Sequence, residues 1–368
     1  MHRTVKSLAV IIVVLLAVTL AAGYIYNRQS VVVPHIVPQD GDASPITSTH
    51  SFLFEKSKIT IAVPVDAGVY NGAKSTDKSV SIYGNVSEST WVTDSYLAMV
   101  NDSAQDRVYA ELLAQFEKIR DDQGLSGDEY LELMAAYVQS LTYETTPDNP
   151  AKYPVETVVD GAGDCDDKSL LLAGLLSREG YRVALLSFSP ESHMALGVGS
   201  ADSLYKDTGY AYLETTNLSY AGVPPDELEG GVTLTSEPLI IPVGTGTTLY
   251  ASGAETSALS DISTKAEQNA KGMESRISSL ASDLSAKQDR IQQMESQMQA
   301  LKSAGNVGAY NAQVSNHNGL VAEYNANLAT YRGLVATYDT YAQVHNYIVS
   351  HAYDRKGTYA WAKANMPA

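Results

Sequence analysis

The sequence predicts an α+β protein with an N-terminal transmembrane helix, a central domain in which a helix-borne cysteine packs on an antiparallel sheet, and a C-terminal antiparallel coiled-coil hairpin. Three patterns predict this arrangement. Residues 8–22 are uncharged and nearly all aliphatic, residues 105–245 pass from helical to alternating periodicity, and the residues beyond 259 follow a heptad repeat.

The composition is that of a folded acidic protein with one thiol. Hydrophobic residues make up 44% of the 368 residues, which is enough for a packed core, and the formal net charge is −17. This charge excludes a nucleic-acid-binding protein, because phosphate binding needs a concentrated basic surface. Cys165 is the single cysteine, so the chain forms no intramolecular disulfide and no zinc site of the usual cysteine type.

Residues 1–27 are predicted to anchor the chain in a membrane. The apolar stretch runs on to residue 26, about 19 residues in all, and at about 1.5 Å per residue this nearly spans a hydrocarbon layer of about 30 Å. Arg3 and Lys6 precede it, which predicts a single-pass protein of the cell membrane with its N-terminus inside and its main domain outside. A cleaved signal peptide is the alternative. Residues 28–50 contain three prolines and are predicted to be a linker.

Residues 51–247 are predicted to form the central domain. Short apolar alternations up to about residue 83 predict an N-terminal β extension, with a turn at residues 66–68 that begins with Asp66. Helices are predicted over 106–120, from Ser126 onward, and over 165–178. Ser126 and Glu129 have the spacing of a capping box. Strands are predicted at 181–187, 193–198, 209–215 and 238–243.

Residues 259–352 are predicted to form the hairpin. Apolar residues recur at spacings of four and three over 273–301, with a flaw at Lys287, and again over 310–338. Two helices of similar length around a short glycine-containing loop are typical of an antiparallel hairpin. It would serve as a spacer, as a platform for a coiled-coil partner or as an arm for a homo-oligomer. The flanking segments are a linker at 248–258 and a tail at 353–368.

Cys165 is the candidate nucleophile. Asp164 is a good N-cap, which would place Cys165 in the first turn of a helix, where unpaired backbone N–H groups favour a thiolate and a developing oxyanion. Asp164, Asp166 and Asp167 oppose this, because their charge disfavours the thiolate. An imidazolium partner is therefore needed. Asp166 and Asp167 are interpreted as helix-start electrostatics and not as catalytic acids.

His193 and Glu214 are the candidate partners of the thiol. The strands at 193–198 and 209–215 are predicted to pair antiparallel through a loop centred near Leu204. Directly opposed residues share a face of the sheet, and this register buries the aliphatic residues on the other face. The predicted pairs are His193 with Glu214, Ala195 with Tyr212 and Gly197 with Tyr210. The chain would then hold a nucleophile, a base and an acid that orients the base.

The surrounding motif resembles the nucleophile motif of the transglutaminase-like superfamily, most closely the bacterial and archaeal transglutaminase-like cysteine peptidases. It reads Pro-Val-Glu-Thr at 154–157 and Gly-Ala-Gly-Asp-Cys-Asp-Asp at 161–167. The resemblance covers about residues 105–245 and implies a papain/transglutaminase-like core. It also implies catalytic roles for Cys165, His193 and Glu214, although the superfamily more often has aspartate at the third position. Tyr153 is a candidate side-chain donor to the oxyanion.

Two functions are expected from these patterns. The first is a membrane-anchored extracytoplasmic amide hydrolase or acyl transferase that acts on a protein or peptide substrate through its thiol. The second is a non-catalytic binding module of the same fold, with the coiled coil as an assembly arm in an envelope complex. No calcium-binding loop is evident, so neither a metal nor a cofactor is expected. The patterns do not decide between hydrolysis and transamidation.

Overall fold

A computed structural model describes residues 30–39, 44–145, 150–228 and 231–367, and over these residues the chain is α+β, as predicted. It divides into two compact units between Ala254 and Glu255. The strands are β1 (Ser30–Val32), β2 (Ile46–Phe54), β3 (Ser57–Val65), β4 (Ser81–Tyr83), β5 (Thr142–Tyr143), β6 (Ala162–Gly163), β7 (Val183–Phe188), β8 (His193–Gly199), β9 (Tyr210–Leu213) and β10 (Leu239–Val243). The helices are α1 (Ala67–Ser75), α2 (Glu88–Val100), α3 (Asp106–Gln123), α4 (Gly127–Gln139), α5 (Pro154–Asp160), α6 (Cys165–Arg178), α7 (Gly253–Ser303), α8 (Val307–Ser350) and α9 (Arg355–Asn365).

The transmembrane helix and the single-pass membrane localisation expected from the sequence are not supported. Over the described residues, no helix has both the length and the apolar character needed to cross a bilayer. The longest helices, α7 and α8, are rich in serine, glutamine and asparagine, whose polar groups are costly to place in hydrocarbon. The segment predicted as the anchor, residues 1–27, lies outside the described residues.

The first unit is built around an antiparallel sheet with strand order β10-β7-β8-β9. Helix α6 packs against β7 and β8, and its leucines are fully buried because they meet one face of that sheet. The same face carries Met194, Leu196 and Val198 of β8, as the predicted alternation requires. The opposite face carries a separate cluster of buried side chains: Leu186, Phe188, Ala195, Tyr205 and Tyr212.

The predicted capped helices are confirmed. The Ser126 hydroxyl accepts a hydrogen bond from the Glu129 N–H, and the Glu129 carboxylate accepts one from the Ser126 N–H, which completes the capping box of α4. Helix α6 spans Cys165–Arg178, the bounds that the sequence predicts. The helix predicted over 106–120 runs on as α3 to Gln123 and ends at Gly124, which adopts the left-handed conformation common at helix C-termini.

The N-terminal extension differs from its prediction. Strands β2 and β3 form a regular antiparallel hairpin, and β2 begins inside the segment predicted to be a linker. The predicted turn at Asp66 is the start of helix α1 instead, because the Asp66 side chain accepts hydrogen bonds from the N–H groups of Gly68 and Val69. This is the N-cap geometry, which the sequence reading took for a turn because aspartate is common in both.

The second unit contains the predicted hairpin of long helices, α7 and α8, joined by a loop at Gly305. Ser263 of α7 contacts His345 of α8. Asp283, further along α7, contacts Asn327, which comes earlier in α8. This defines antiparallel packing. Lys287, the flaw in the heptad, lies 2.6 Å from Asp283, and the other oxygen of Asp283 accepts a hydrogen bond from Asn327. Lys287 is therefore paired within its own helix, and Asp283 links that pair to α8 through Asn327. The predicted C-terminal tail contains helix α9.

Replacing Gly174 with alanine is expected to destabilise the first unit by about 2 kcal/mol. Helix α6 approaches Tyr109 of α3 at this point, and an added Cβ would overlap the ring and hydroxyl of the buried Tyr109. Gly272→Ala in α7 is the matched control. It has open space around it, so it should stabilise the second unit by about 0.5–1 kcal/mol.

These two variants are to be compared by urea unfolding of the full chain. Trp91 and Trp361 are the two tryptophans and lie in different units, so fluorescence of single-tryptophan variants reports each unit separately. An unchanged midpoint for Gly174→Ala would contradict the close packing of α6 on α3.

Candidate active site

The start of helix α6 presents Cys165. The Asp164 carboxylate accepts a hydrogen bond from the Asp167 N–H, and the Asp167 carboxylate accepts one from the Asp164 N–H. This reciprocal capping box fixes Asp164 as the N-cap and Cys165 as the first helical residue, as predicted. The Asp167 carboxylate also accepts from the Lys152 N–H at 2.5 Å, which ties the helix start to the preceding loop.

The loop before Cys165 is held close to the helix by a glycine. β6 pairs in parallel with β5, and the N–H of Glu144 donates to the carbonyl of Gly163. A Cβ at Gly163 would lie 2.6 Å from the Cβ of Asp167, nearer than real Cβ contacts allow. Glycine is therefore required at position 163, because only a residue without a Cβ lets the loop approach α6 closely enough to place Cys165 in its first turn.

His193 and Glu214 meet, but in a different register from the predicted one. Gly197 pairs with Tyr212 and not with Tyr210, a slip of two residues. The slip arises because β8 continues to Gly199 and β9 starts at Tyr210, one residue later than predicted at each end. Because the side-chain period of a strand is two, both residues keep their predicted face. They lie diagonally and not directly opposite, and the length of glutamate covers the added distance.

The contact between His193 and Glu214 is buried. The Nε2 atom of His193 lies 3.3 Å from Oε2 of Glu214, and the two side chains are only 6% and 5% exposed. Burial raises the pKa of the Glu214 carboxyl, but the hydrogen bond and charge of His193 and the donors of Thr216 outweigh it and hold that pKa at about 2. Glu214 is therefore ionised at neutral pH and forms a fixed negative charge beside the imidazole.

Tyr212 is a member of this cluster to which the sequence reading gave no role. Its hydroxyl donates to Glu214 Oε2 at 2.7 Å and lies 3.1 Å from His193 Nε2. The predicted pairing already placed Tyr212 on the same face as Glu214, two residues before it. That spacing is the signal that could have identified it, because residues i and i+2 of a strand share a face.

The thiol of Cys165 faces the start of β8. Its sulfur lies 4.0 Å from the carbonyl oxygen of Ser192, the residue before His193. Burial, followed by the charge of Asp166, raises the pKa of the thiol to about 12, against the lowering effect of a hydrogen bond from the Met194 N–H; Asp164 and Glu214 raise it further. The helix start therefore does not keep the thiol ionised, because burial and then the surrounding carboxylates outweigh its effect on the pKa.

Lys168 is a second residue whose role the sequence reading missed. It follows Cys165 by three positions in α6 and is fully buried. Its ammonium donates to three carbonyl oxygens, those of Gln139, Leu141 and Thr216, at 3.0–3.1 Å. Gln139 in turn donates from Nε2 to the carbonyl of Glu214 at 2.7 Å. The hydrogen bonds of Lys168 and Gln139 therefore connect the end of α4 and the residues after β9 to helix α6, which carries Cys165.

Tyr153 is the predicted oxyanion donor, and its side chain is fully buried. Its hydroxyl is buried and has no hydrogen-bond partner among the described residues, and the charges that act on it are those of Asp102 and Glu156. Tyr96 of α2 is another phenol whose pKa is affected by the Cys165 thiol. Burial raises its pKa, and the charges of Asp166 and Cys165 add to that effect.

A small pocket opens beside the imidazole. Its volume is about 80 Å³, and His193 forms part of its wall together with Tyr143, Leu228 and Val232. Glu191 lies at the pocket as well, but its carboxylate is occupied by four hydrogen bonds from Thr235 and Ser236. The pocket is where a substrate group could approach the base.

One group of side chains has the spacing of metal ligands within the described part of the chain. Asp164, Cys165 and Asp166 bring ligand atoms within 4.8 Å of one another. Oδ1 of Asp164 and Oδ1 of Asp166 already accept hydrogen bonds from the Asp167 N–H. These contacts account for the cluster as helix capping, and we assign no ion to it.

Comparison with known proteins adds no further assignment. No protein-family profile matches this chain, and neither a curated protein nor a solved structure matches it.

Proposed function

We propose that this chain is a thiol-dependent amide hydrolase or acyl transferase of the transglutaminase-like type, with Cys165 as nucleophile, His193 as base and Glu214 as the acid that orients it. The observation that carries the proposal is the buried contact of 3.3 Å between His193 and Glu214, next to a thiol that faces the residue preceding His193. Structural cysteines have no need of a buried imidazole–carboxylate pair beside them.

The thiol reacts from its neutral form in this proposal. Because the pKa of Cys165 is raised to about 12, the proton must leave as the sulfur attacks, and His193 accepts it. The carbonyl carbon of the amide forms a bond to sulfur, and its oxygen takes the negative charge, which the Cys165 N–H at the helix start stabilises. The imidazolium then protonates the departing amine, the C–N bond breaks and a thioester remains.

The second half-reaction decides between the two activities. Water attacking the thioester gives hydrolysis, and an amine gives transamidation. In both cases His193 accepts the proton of the attacking group, the C–S bond breaks, and the departing thiolate takes that proton back from the imidazolium. The substrate class is a protein or peptide amide, and the chemistry of the three residues is the same for either acceptor.

The test is to incubate the full chain with a panel of peptide amides, with and without a primary amine, and to follow the products and the intact mass of the protein. We expect a thioester adduct on Cys165, with free acid released in water and amide formed with the amine. Cys165→Ala should show neither. Absence of both adduct and turnover across the panel in the wild-type protein would refute the proposal.

A second candidate function is a non-catalytic binding module with the hairpin as its assembly arm. The raised pKa of the Cys165 thiol favours it, because burial and neighbouring carboxylates suppress nucleophilicity. In this case Cys165→Ala should leave the activity of the protein in cells intact, while deletion of residues 258–352 should abolish it. Loss of activity in Cys165→Ala would exclude this function.

A further inference from the structure

The hydrogen bonds of Glu214 define which atoms around it carry protons. Its Oε1 accepts from the Thr215 N–H, the Thr216 N–H and the Thr216 hydroxyl at 2.7–3.0 Å. Its Oε2 accepts from the Tyr212 hydroxyl at 2.7 Å. An ionised carboxylate only accepts hydrogen bonds, so the single proton of Tyr212 is committed to Glu214.

The same hydroxyl oxygen lies 3.1 Å from Nε2 of His193. Since its proton points to Glu214, the oxygen of Tyr212 can only accept from the imidazole. Nε2 must therefore carry a proton, which it shares between Tyr212 and the Glu214 oxygen at 3.3 Å. Nδ1 is then the basic nitrogen of the neutral ring, and it has no hydrogen bond among the described residues.

The position of the Tyr212 hydroxyl is fixed by its ring. Tyr212 is fully buried and contacts Tyr205, with the ring centroids 5.4 Å apart, and Phe188, with the centroids 6.5 Å apart. Burial and the charge of Glu214 raise the pKa of the phenol, so it stays protonated. The hydroxyl is thus a constant donor whose location does not depend on solvent.

We propose that Tyr212 is a positioning residue of the site: its hydroxyl bridges Glu214 and His193, fixes the imidazole proton on Nε2 and leaves Nδ1 as the nitrogen that accepts a proton. The effect of Tyr212 on catalysis rests on the proposed function, whereas its hydrogen bonds to Glu214 and His193 do not. Tyr212 donates to the same oxygen that contacts His193, so it draws away part of the carboxylate charge that faces the imidazole.

The titratable groups around His193 are few. Glu214 and Tyr212 face Nε2, and Cys165 of α6 lies by the start of β8. Tyr143 and Glu191 share the pocket wall with His193, and the Glu191 carboxylate is bound to Thr235 and Ser236. Removing the Tyr212 hydroxyl leaves Oε2 of Glu214 with His193 as its one side-chain donor, and the imidazolium is then paired with a more fully charged oxygen.

The experiment is an NMR titration of histidine-labelled full chain, in a Cys165→Ala background, comparing Tyr212→Phe with the unmodified tyrosine. The His193 signal is assigned by its loss in His193→Gln. We expect the titration midpoint of His193 to rise by about half a pH unit or more in Tyr212→Phe. Tyr205→Phe is the matched control, because Tyr205 lies in the same cluster without contacting the imidazole nitrogens. It should leave the midpoint unchanged.

A midpoint that stays the same or falls in Tyr212→Phe would overturn the assignment. So would a signal showing the proton of the neutral ring on Nδ1. Both readouts are made without the nucleophile, so an absence of amide turnover would refute the proposed function and leave this result standing.

Discussion

Replacing His193 with alanine is expected to slow alkylation of Cys165 by iodoacetamide at pH 7 by roughly a hundredfold, the usual contribution of a positioned base. With the thiol pKa raised to about 12, only about one thiol in 10⁵ is ionised at pH 7 without a proton acceptor. In the proposed mechanism His193 supplies that acceptor. The rate should be measured from the mass of the intact chain, which has one cysteine.

The pH dependence of the alkylation rate also distinguishes the wild-type protein from His193→Ala. In His193→Ala the alkylation rate should keep rising with pH up to the thiol pKa, whereas in the wild-type protein it should level off once the imidazole is neutral. His35→Ala is the matched control, because His35 is an exposed histidine of the same unit. Equal rates in wild type and His193→Ala would show that Cys165 does not use this imidazole.

Replacing Lys168 with methionine is expected to lower the free energy of unfolding of the first unit by about 3 kcal/mol or more at pH 7. Methionine keeps most of the volume but leaves the carbonyls of Gln139, Leu141 and Thr216 without the donor they share. Each buried acceptor without a partner costs about 1–3 kcal/mol. The measurement is urea unfolding followed by Trp91 fluorescence in a Trp361→Phe background.

The control for Lys168→Met is Lys118→Met. Lys118 is 74% exposed on α3 and pairs with Asp122 at the surface, so its loss should change stability by less than about 0.5 kcal/mol. If Lys168→Met proved as mild as this control, the buried ammonium would not hold the chain after β9 in place.

The buried ammonium of Lys168 also determines how the free energy of unfolding should change with pH. Burial lowers the pKa of its ammonium from 10.5 to about 8. Between these values the unfolded chain binds more protons than the folded one, so stability rises with pH. Between pH 8 and 9.5 the free energy of unfolding of the wild type should increase by about 1.5 kcal/mol relative to that of Lys168→Met. Below pH 7 the two free energies should depend on pH with the same slope. A wild-type stability that fell relative to the variant in that window would contradict the assignment.

The local parts of the site could be predicted because they depend on neighbours in sequence. Asp164 and Asp167 form a capping box three residues apart, and this alone sets Cys165 at the first position of a helix. The shared face of His193 and Glu214 follows from the two-residue period of a strand, and it survived a two-residue error in the register. The hairpin of α7 and α8 follows from heptad spacing in the same way.

The remaining parts depend on contacts between segments far apart in the chain. The pKa of the Cys165 thiol is set by burial and by how carboxylates gather around it. The burial of Lys168 requires α4 and the chain after β9 to converge on α6. No periodicity encodes these distances, because they arise only when the elements pack.

The sequence by itself determined the helices α3, α4 and α6, the strands of the central sheet, the position of Cys165 at the start of α6 and the face of the sheet that His193 shares with Glu214. Only the tertiary structure decided that Tyr212 stands between the imidazole and the carboxylate, and that the thiol is neutral and not ionised. The physical reason is range: capping and strand alternation act over two to four residues, whereas desolvation and charge depend on everything that packing brings near.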